Sequence, residues 1–144
     1  AGSRRAQLTM DLATIAPDES RGRRNVCRRE IFECLIAGSA EVQLLALHLE
    51  ATAPAVRAWS IAEARTTHLG TARPLADDFF ASPSVQRYGS RVLREVVDVN
   101  GSSPIERELF QRSFCLRSLA QLPPAEQPRP SDLLLVLDPD EIPT

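Results

Sequence analysis

The stretch that decides the predicted fold is residues 91–99, Arg-Val-Leu-Arg-Glu-Val-Val-Asp-Val, which Asn100-Gly101 follows directly. Its many β-branched residues are typical of a strand. Asn-Gly supplies the left-handed backbone conformations that a tight hairpin turn needs. Residues 104–117 carry Ile105, Leu109, Phe110 and Phe114 and predict the second strand. We therefore expect an antiparallel hairpin here.

Upstream, three further stretches are typical of strands. Residues 7–15 alternate well enough for one strand, with Met10 on the same face as Leu8 and Leu12. Residues 26–36 and 41–50 flank a turn signal at 37–40 and predict a second hairpin. A helix over 41–50 is the rival interpretation, because Leu, Ala and Glu are good helix formers.

The middle and the tail complete the predicted organisation. A helix is expected from Thr52-Ala53-Pro54 to about residue 69, and a short one after Pro74. Residues 1–121 then form one α+β domain, and residues 122–144 form a Pro-rich tail. Within that tail the apolar run 133–137 is expected to pack on the sheet or on a partner, and a homodimer is left open.

Composition excludes several classes of protein. A length of 144 residues with 43% apolar residues fits one folded domain. All 17 basic residues are Arg and the net charge is −2, which argues against a nucleic-acid-binding domain. No apolar run approaches the length of a membrane span, and no signal peptide is recognised. Cys27, Cys34 and Cys115 lack CxxC spacing, so we expect buried thiols, no metal and a cytoplasmic location.

Few residues suggest chemistry by themselves. No glycine-rich phosphate loop is present, His48 is expected to be a hydrogen-bonded core residue, and His68 a capping or solvated one. Charged residues inside predicted strands, such as Glu108 and Arg29, belong either to a solvent face or to a ligand pocket. In a pocket, Arg binds a carboxylate with two hydrogen bonds and Glu serves as an acid.

The order of these pieces resembles the chorismate pyruvate-lyase family. Residues 29–34, Arg-Glu-Ile-Phe-Glu-Cys, are similar to the family strand Arg-Glu-Ile-Leu-Leu-Cys, and Leu8-Thr9-Met10 is similar to its Val-Thr-Met strand. The segment from Leu69-Gly70 to Pro74-Leu75 resembles the family's Leu-Gly-x-x-Pro-Leu. Glu108-Leu109-Phe110 stands where the family has Glu-Leu-Phe. The family has an Arg where this chain has Leu12.

The resemblance implies an antiparallel sheet flanked by helices, with an internal ligand pocket and no cofactor. Glu108 would be the catalytic acid, Arg29 would bind a substrate carboxylate, and Leu75 and Met10 would line the apolar part of the pocket. The implied function is an enzyme, possibly a lyase, that acts on a small aromatic or apolar carboxylate. The alternative is a non-catalytic effector-binding domain, as in GntR-type regulators, which share that fold.

Overall fold

The computed structural model of the protein describes residues 29–38, 41–99 and 101–143. The predicted strand over 7–15, with Met10, lies outside the described residues, as does Cys27. In chain order the elements are β1 (Ile31–Ala37), α1 (Val42–Thr52), β2 (Val56–Ala64), α2 (Asp77–Ala81), α3 (Pro83–Gln86), β3 (Val92–Val97), α4 (Pro104–Leu119) and β4 (Leu133–Leu137).

The described strands form one four-stranded sheet in the order β3-β2-β1-β4, and every neighbouring pair is parallel. The expected antiparallel sheet is therefore wrong, and the fold is α/β rather than α+β. Parallel neighbours cannot be joined by a tight turn, so a crossover must separate them along the chain. Each predicted hairpin accordingly consists of one strand followed by a crossover helix.

Two of the predicted strands are helices, because their buried residues recur at helical rather than strand spacing. In α1 the buried residues are Leu45, His48, Leu49 and Thr52, which recur at the spacing of one helix face. In α4 they are Gln111, Cys115, Ser118 and Leu119. Ser103 and Glu106 form a capping box at the start of α4, with Pro104 in its first turn. The capping box fixes the beginning of a helix immediately after the predicted turn.

The helix predicted from Thr52-Ala53-Pro54 to about residue 69 is wrong, because that range contains the central strand β2. All of its residues except Arg57 are buried. A central strand in a parallel sheet is covered on both faces and therefore carries apolar residues without alternation. That continuous apolar pattern resembles a buried helix when it is read from sequence. The short helix expected after Pro74 is confirmed as α2, and the rival interpretation of residues 41–50 as a helix is confirmed as α1.

Helices cover both faces of the sheet, and alternate strand residues reach alternate layers. On one face, Leu35 and Trp59 pack with Leu45 and Leu49 of α1 and with Phe80 of α2. On the other face, Phe32 and Ala58 pack with Leu119 of α4. Ile36 and Ala62 pack near Phe110 and Phe114 of the same helix. The crossover connections from β1 to β2 and from β2 to β3 thus run over the α1 face, and the connection from β3 to β4 runs over the α4 face.

Two long-range links connect the last part of the chain to β1. The apolar run of the tail is β4, which pairs with β1 over its whole length, Ile31 opposite Leu133 and Leu35 opposite Leu137. Cys34 of β1 and Cys115 of α4 form a disulfide with a Cα–Cα distance of 5.5 Å. The expectation of unpaired thiols at these two positions is therefore wrong, because strand and helix bring together residues 81 apart in sequence.

Candidate functional site

A cleft of about 310 Å³ lies at the carboxyl ends of the strands. We call it the carboxyl-edge cleft. Its lining residues come from the ends of β1 and β4, the residue before α1, the segment after β2, and one side of α4. They are Ile36, Ala37, Glu41, Thr67, His68, Arg73, Glu108, Gln111, Asp138 and Pro139. The chain runs from β1 outward to β3 and then returns to the opposite side of β1 as β4. The cleft therefore lies where the strand order reverses, which is where open parallel sheets bind ligands.

Arg73 supplies a fixed positive charge to the cleft. Its Nε donates to the carbonyl of Ala64 at 2.7 Å, and its Nη2 donates to the carbonyl of Ala37 at 2.9 Å. The guanidinium thus joins the last residues of β1 and β2, while its Nη1 makes no hydrogen bond with the described residues. A Cβ at Gly38 would lie 2.6 Å from Nη1, so glycine leaves the room this side chain needs.

His68 is oriented by the buried amide of Gln111. The Nε2 of Gln111 donates to the carbonyl of Ala62 at 2.6 Å, which fixes its Oε1 as the acceptor that faces His68. The Nε2 of His68, 3.1 Å away, must therefore carry the hydrogen. Its Nδ1 has no partner among the described residues and remains an acceptor at the cleft.

Carboxylates line the side of the cleft between α4 and β4. Arg112 pairs with Glu108 at 3.0 Å and with Asp138 at 2.8 Å, so it joins the helix to the end of the strand. Partial burial lowers the pKa of Arg112, but hydrogen bonds and charge from Glu108 and Asp138 outweigh that effect, and its pKa is raised overall. Arg112 stays charged and holds both carboxylates at the cleft.

The connection between β1 and α1 carries an acid where many α/β sheets bind phosphate. Glu41 Oε2 accepts the backbone N–H of Gly38 at 3.0 Å. In phosphate-binding sheets this connection is rich in glycine, and its free N–H groups face the ligand. Here a carboxylate occupies one of those donors and adds negative charge, which disfavours a phosphate at this position.

The structure places the predicted site residues at different ends of the molecule. Glu108 lines the carboxyl-edge cleft. Arg29 is exposed and precedes the first residue of β1, at the amino edge of the sheet. Leu75 is partly exposed in the segment between β2 and α2 and does not line the cleft. Met10 lies outside the described residues. Glu108 and Arg29 are therefore separated by the length of β1.

Sequence reasoning missed Glu41, Thr67, His68, Arg73 and Asp138 as a group. Four of them come within four residues after the end of a strand: Glu41 after β1, Thr67 and His68 after β2, and Asp138 after β4. Polar residues just after buried parallel strands are a usable signal, since the carboxyl ends of such strands share one edge. An expected antiparallel sheet hides this signal, as does the expectation that the residues of β2 form a helix.

Two buried carboxylates lie outside the cleft, on the α1 face of the sheet. Glu33 pairs with His48 at 3.0 Å, and Thr52 donates to the same carboxylate oxygen. His48 is thus the hydrogen-bonded core residue expected from sequence, although it lies on a helix. Glu63 pairs with Arg94 at 2.6 Å. Burial lowers the pKa of Arg94, but hydrogen bonds to Glu63 and Asp77 raise it more, so its pKa is raised overall.

The described residues contain neither a metal-binding cluster nor a membrane-spanning helix. Within residues 29–38, 41–99 and 101–143, no group of three or more His, Cys, Asp or Glu side chains is arranged to hold a metal ion. In the same part of the chain, no helix combines the length and apolar character needed to cross a membrane. Comparison with protein-family models, curated proteins and solved structures finds no match.

Proposed function

We propose that this protein binds a small zwitterionic or hydroxylated carboxylic acid in the carboxyl-edge cleft. The observation that carries the proposal is the placement of the Arg73 guanidinium and three carboxylates, Glu41, Glu108 and Asp138, around one cleft. A molecule with a carboxylate at one end and an ammonium or hydroxyl group at the other complements both. α-Amino and α-hydroxy acids have this chemistry.

The cleft volume supports a small ligand. At about 310 Å³ it lies at the lower limit of ligand pockets, which range from about 300 to 1,000 Å³. A dinucleotide would need a larger crevice, and the Glu41 carboxylate disfavours its phosphates. A single free amino acid or hydroxy acid is small enough for this volume and carries no phosphate.

Arg73 supports the carboxylate end of the ligand. Two of its nitrogens are held by backbone carbonyls, so the guanidinium is ordered before a ligand arrives. An ordered cation loses little conformational entropy on binding. Its Nη1 can donate to a ligand carboxylate in a charge-assisted hydrogen bond.

The opposite wall supports an ammonium or hydroxyl group. Glu108 and Asp138 share Arg112 and still present carboxylate oxygens, and His68 offers the Nδ1 acceptor. Acceptors thus predominate on this wall. Binding without turnover is the role we favour. The lyase reaction and the GntR-type effector-binding alternative both depend on the antiparallel fold that the resemblance implied, and neither gains support from the cleft.

The test is calorimetric titration of the purified chain with single amino acids, α-hydroxy acids, aryl carboxylates and chorismate. We expect an amino or hydroxy acid to bind, and Arg73→Gln to weaken its binding by about tenfold to a hundredfold through loss of a charge-assisted hydrogen bond. Arg65→Gln is the matched control, because Arg65 is exposed, follows β2 and lies outside the cleft lining.

Three results would count against the proposal. They are the absence of binding by any amino or hydroxy acid, equal weakening by Arg65→Gln, and preferential binding of aryl carboxylates. Release of 4-hydroxybenzoate from chorismate would instead favour the lyase activity.

A further inference from the structure

The two edges of the sheet differ in how they are protected. β3 carries Arg94 and Glu95 in its middle. β4, at the other edge, reads Leu-Leu-Leu-Val-Leu and contains no charge, proline or glycine. Its register with β1 is continuous, so no bulge twists this edge away. Charged residues, prolines and bulges are the usual protection against pairing with another strand, and β4 has none of them.

The open hydrogen-bonding groups of β4 can be assigned to particular residues. The N–H of Leu133 donates to the carbonyl of Glu30 at 2.9 Å. Alternation along a parallel ladder then directs the backbone groups of Leu133, Leu135 and Leu137 toward β1. The N–H and C=O groups of Leu134 and Val136 point away from β1. No strand among the described residues pairs with that side of β4.

We propose that β4 pairs in antiparallel fashion with β4 of a second copy of this chain, giving a two-fold symmetric dimer with a continuous eight-stranded sheet. A closed two-fold pairing of identical strands has to be antiparallel. The register that places Leu134 opposite Val136 of the partner copy uses every outward N–H and C=O of both strands, in four hydrogen bonds. It places the two copies of Leu135 opposite each other at the centre.

Charged residues lie at both ends of β4. The turn before β4 carries the exposed Arg129, and the turn after it carries the exposed Asp140 and Glu141. Antiparallel pairing places the turn that carries Arg129 in one copy beside the acidic turn of the other. Asp132 then lies opposite Asp138 of the other copy, and each of them has a partner within its own copy, Asp132 with Arg129 and Asp138 with Arg112. Arg129, which also lies 3.9 Å from Glu30, would be shared between carboxylates of its own copy and those of the other.

Exposed apolar side chains lie along the same edge. Leu133 and Val136 are 45% and 46% exposed, on opposite faces of the strand. On the face of the sheet that α4 covers, Leu109 and Leu116 of that helix are each 60% exposed. A second copy placed against β4 covers apolar surface of Leu133 and Val136 on both faces. Burial of apolar surface is the main favourable term in association between proteins.

The test measures the mass of the full chain in solution by light scattering over a range of concentrations. We expect twice the 15.9 kDa chain mass for the unmodified protein. Val136→Pro removes an N–H that points outward, so it spares the ladder between β4 and β1. We expect it to raise the dimer dissociation constant by about tenfold or more, because two symmetry-related hydrogen bonds are lost.

Control variants make the outcomes decisive. Val136→Lys tests the same edge with a charge and serves if Val136→Pro fails to fold, which circular dichroism would show. Leu69→Lys changes an apolar residue that is 79% exposed and far from β4 in sequence, and it should leave the dimer intact. A chain that stays monomeric overturns the proposal, as does a dimer that both Val136 variants leave unchanged. Slow amide exchange at Leu134 and Val136 that does not depend on concentration would show that another part of the same chain covers the edge, which also overturns it.

Discussion

The helices on the two faces of the sheet are attached to it by different chemistry. On one face, α1 contacts the sheet through a buried hydrogen bond between His48 and Glu33, reinforced by Thr52. On the other face, α4 is joined covalently to β1 by the Cys34–Cys115 disulfide. Apolar packing supports both helices, but the first attachment depends on buried hydrogen bonds and the second on oxidation. The two layers should therefore respond to different perturbations.

The polar attachment of α1 extends beyond the contact between His48 and Glu33. Thr52 accepts the indole N–H of Trp59 at 3.0 Å, and His48 Nδ1 lies 3.2 Å from the carbonyl of Pro139. The cluster thus connects β1, α1, β2 and the segment after β4. Both ring nitrogens of His48 face acceptors, so the hydrogen bonds are complete when the ring donates from both. A buried network of this kind is stabilising only while all its members are satisfied.

Removal of His48 should have the largest effect. His48→Ala leaves the Glu33 carboxyl group buried without its hydrogen-bonded partner, and we expect it to lower the free energy of unfolding by about 3–5 kcal/mol. Urea unfolding measures this. Leu47→Ala, at an exposed neighbouring position on α1, should change it by about 0.5 kcal/mol or less. If His48→Ala fails to fold, His48→Gln retains one donor toward Glu33 and should be intermediate. A loss no larger than that of Leu47→Ala would contradict the role of the His48–Glu33 hydrogen bond.

Loss of the disulfide should come next. Replacing both Cys34 and Cys115 by Ala should lower the free energy of unfolding by about 2–4 kcal/mol, mainly because the unfolded chain is no longer constrained. Reductant should destabilise the unmodified protein and leave the double variant unchanged. It should also leave the cost of His48→Ala unchanged, because the two attachments lie on opposite faces and share no partner. Equal stability of the oxidised protein and the double variant would show that the covalent attachment contributes nothing. Disulfides persist chiefly in oxidising compartments, so this disulfide argues against the cytoplasmic location, which stays an untested prediction.

A smaller effect is expected at Thr52. Thr52→Val keeps the shape of the side chain but leaves the indole N–H of Trp59 buried without an acceptor, which costs about 1–3 kcal/mol. Thr52→Ser keeps the hydroxyl and should cost less. Urea unfolding of both variants, with and without reductant, tests whether this loss belongs to the α1 layer. A Val variant as stable as the Ser variant would show that the hydroxyl is dispensable.

The smallest expected effect is a loss of stability at acidic pH, and it arises at the capping box of α4. The side chain of Ser102 donates to Glu106, the backbone N–H groups of Ser102 and Ser103 do so as well, and together they hold the pKa of Glu106 below its ordinary value of 4.5. Because the folded-state pKa is lowered, this stabilisation is complete above the unfolded-state pKa, near 4.5, and is lost as the pH falls through the folded-state pKa.

The matching variant is Glu106→Gln. The stability difference between it and the unmodified protein should be constant from about pH 7 to about pH 5 and should shrink in more acidic solution. Urea midpoints measured across that range provide the check. Asp132 is a second group whose pKa is lowered, by backbone N–H groups of Glu30 and Arg129, so some acid dependence should remain in the variant. A difference that stays constant into strong acid would contradict the capping role.

Part of the fold could be predicted from sequence. The strand patterns over 26–36 and 91–99 correspond to β1 and β3, and the apolar run at 133–137 is β4. The cap of α4 was visible as Ser103-Pro104-Ile105-Glu106 and was overlooked beside the stronger turn signal of Asn100-Gly101. β2 could not be recognised, because burial on both faces removes the alternation that identifies a strand.

The candidate site was harder to predict from the sequence than the fold. Glu108 was singled out, but on a strand and with Arg29 as its partner, and the structure separates those two residues by the length of β1. Arg73 had no sequence signal at all, because its position depends on the carbonyls of Ala37 and Ala64, which end different strands. A side chain that binds backbone from two distant segments leaves no local pattern.

The sequence by itself determined where the chain is strand-like, where it turns and which residues are apolar, because those properties depend on local periodicity and on backbone preferences. Only the tertiary structure decided that the strands run parallel, that β4 lies beside β1, and that Cys34 meets Cys115. Each of these depends on contacts between residues far apart in the chain. Local preference alone cannot distinguish a hairpin from a strand followed by a crossover helix, because the choice depends on which arrangement buries both faces of the sheet.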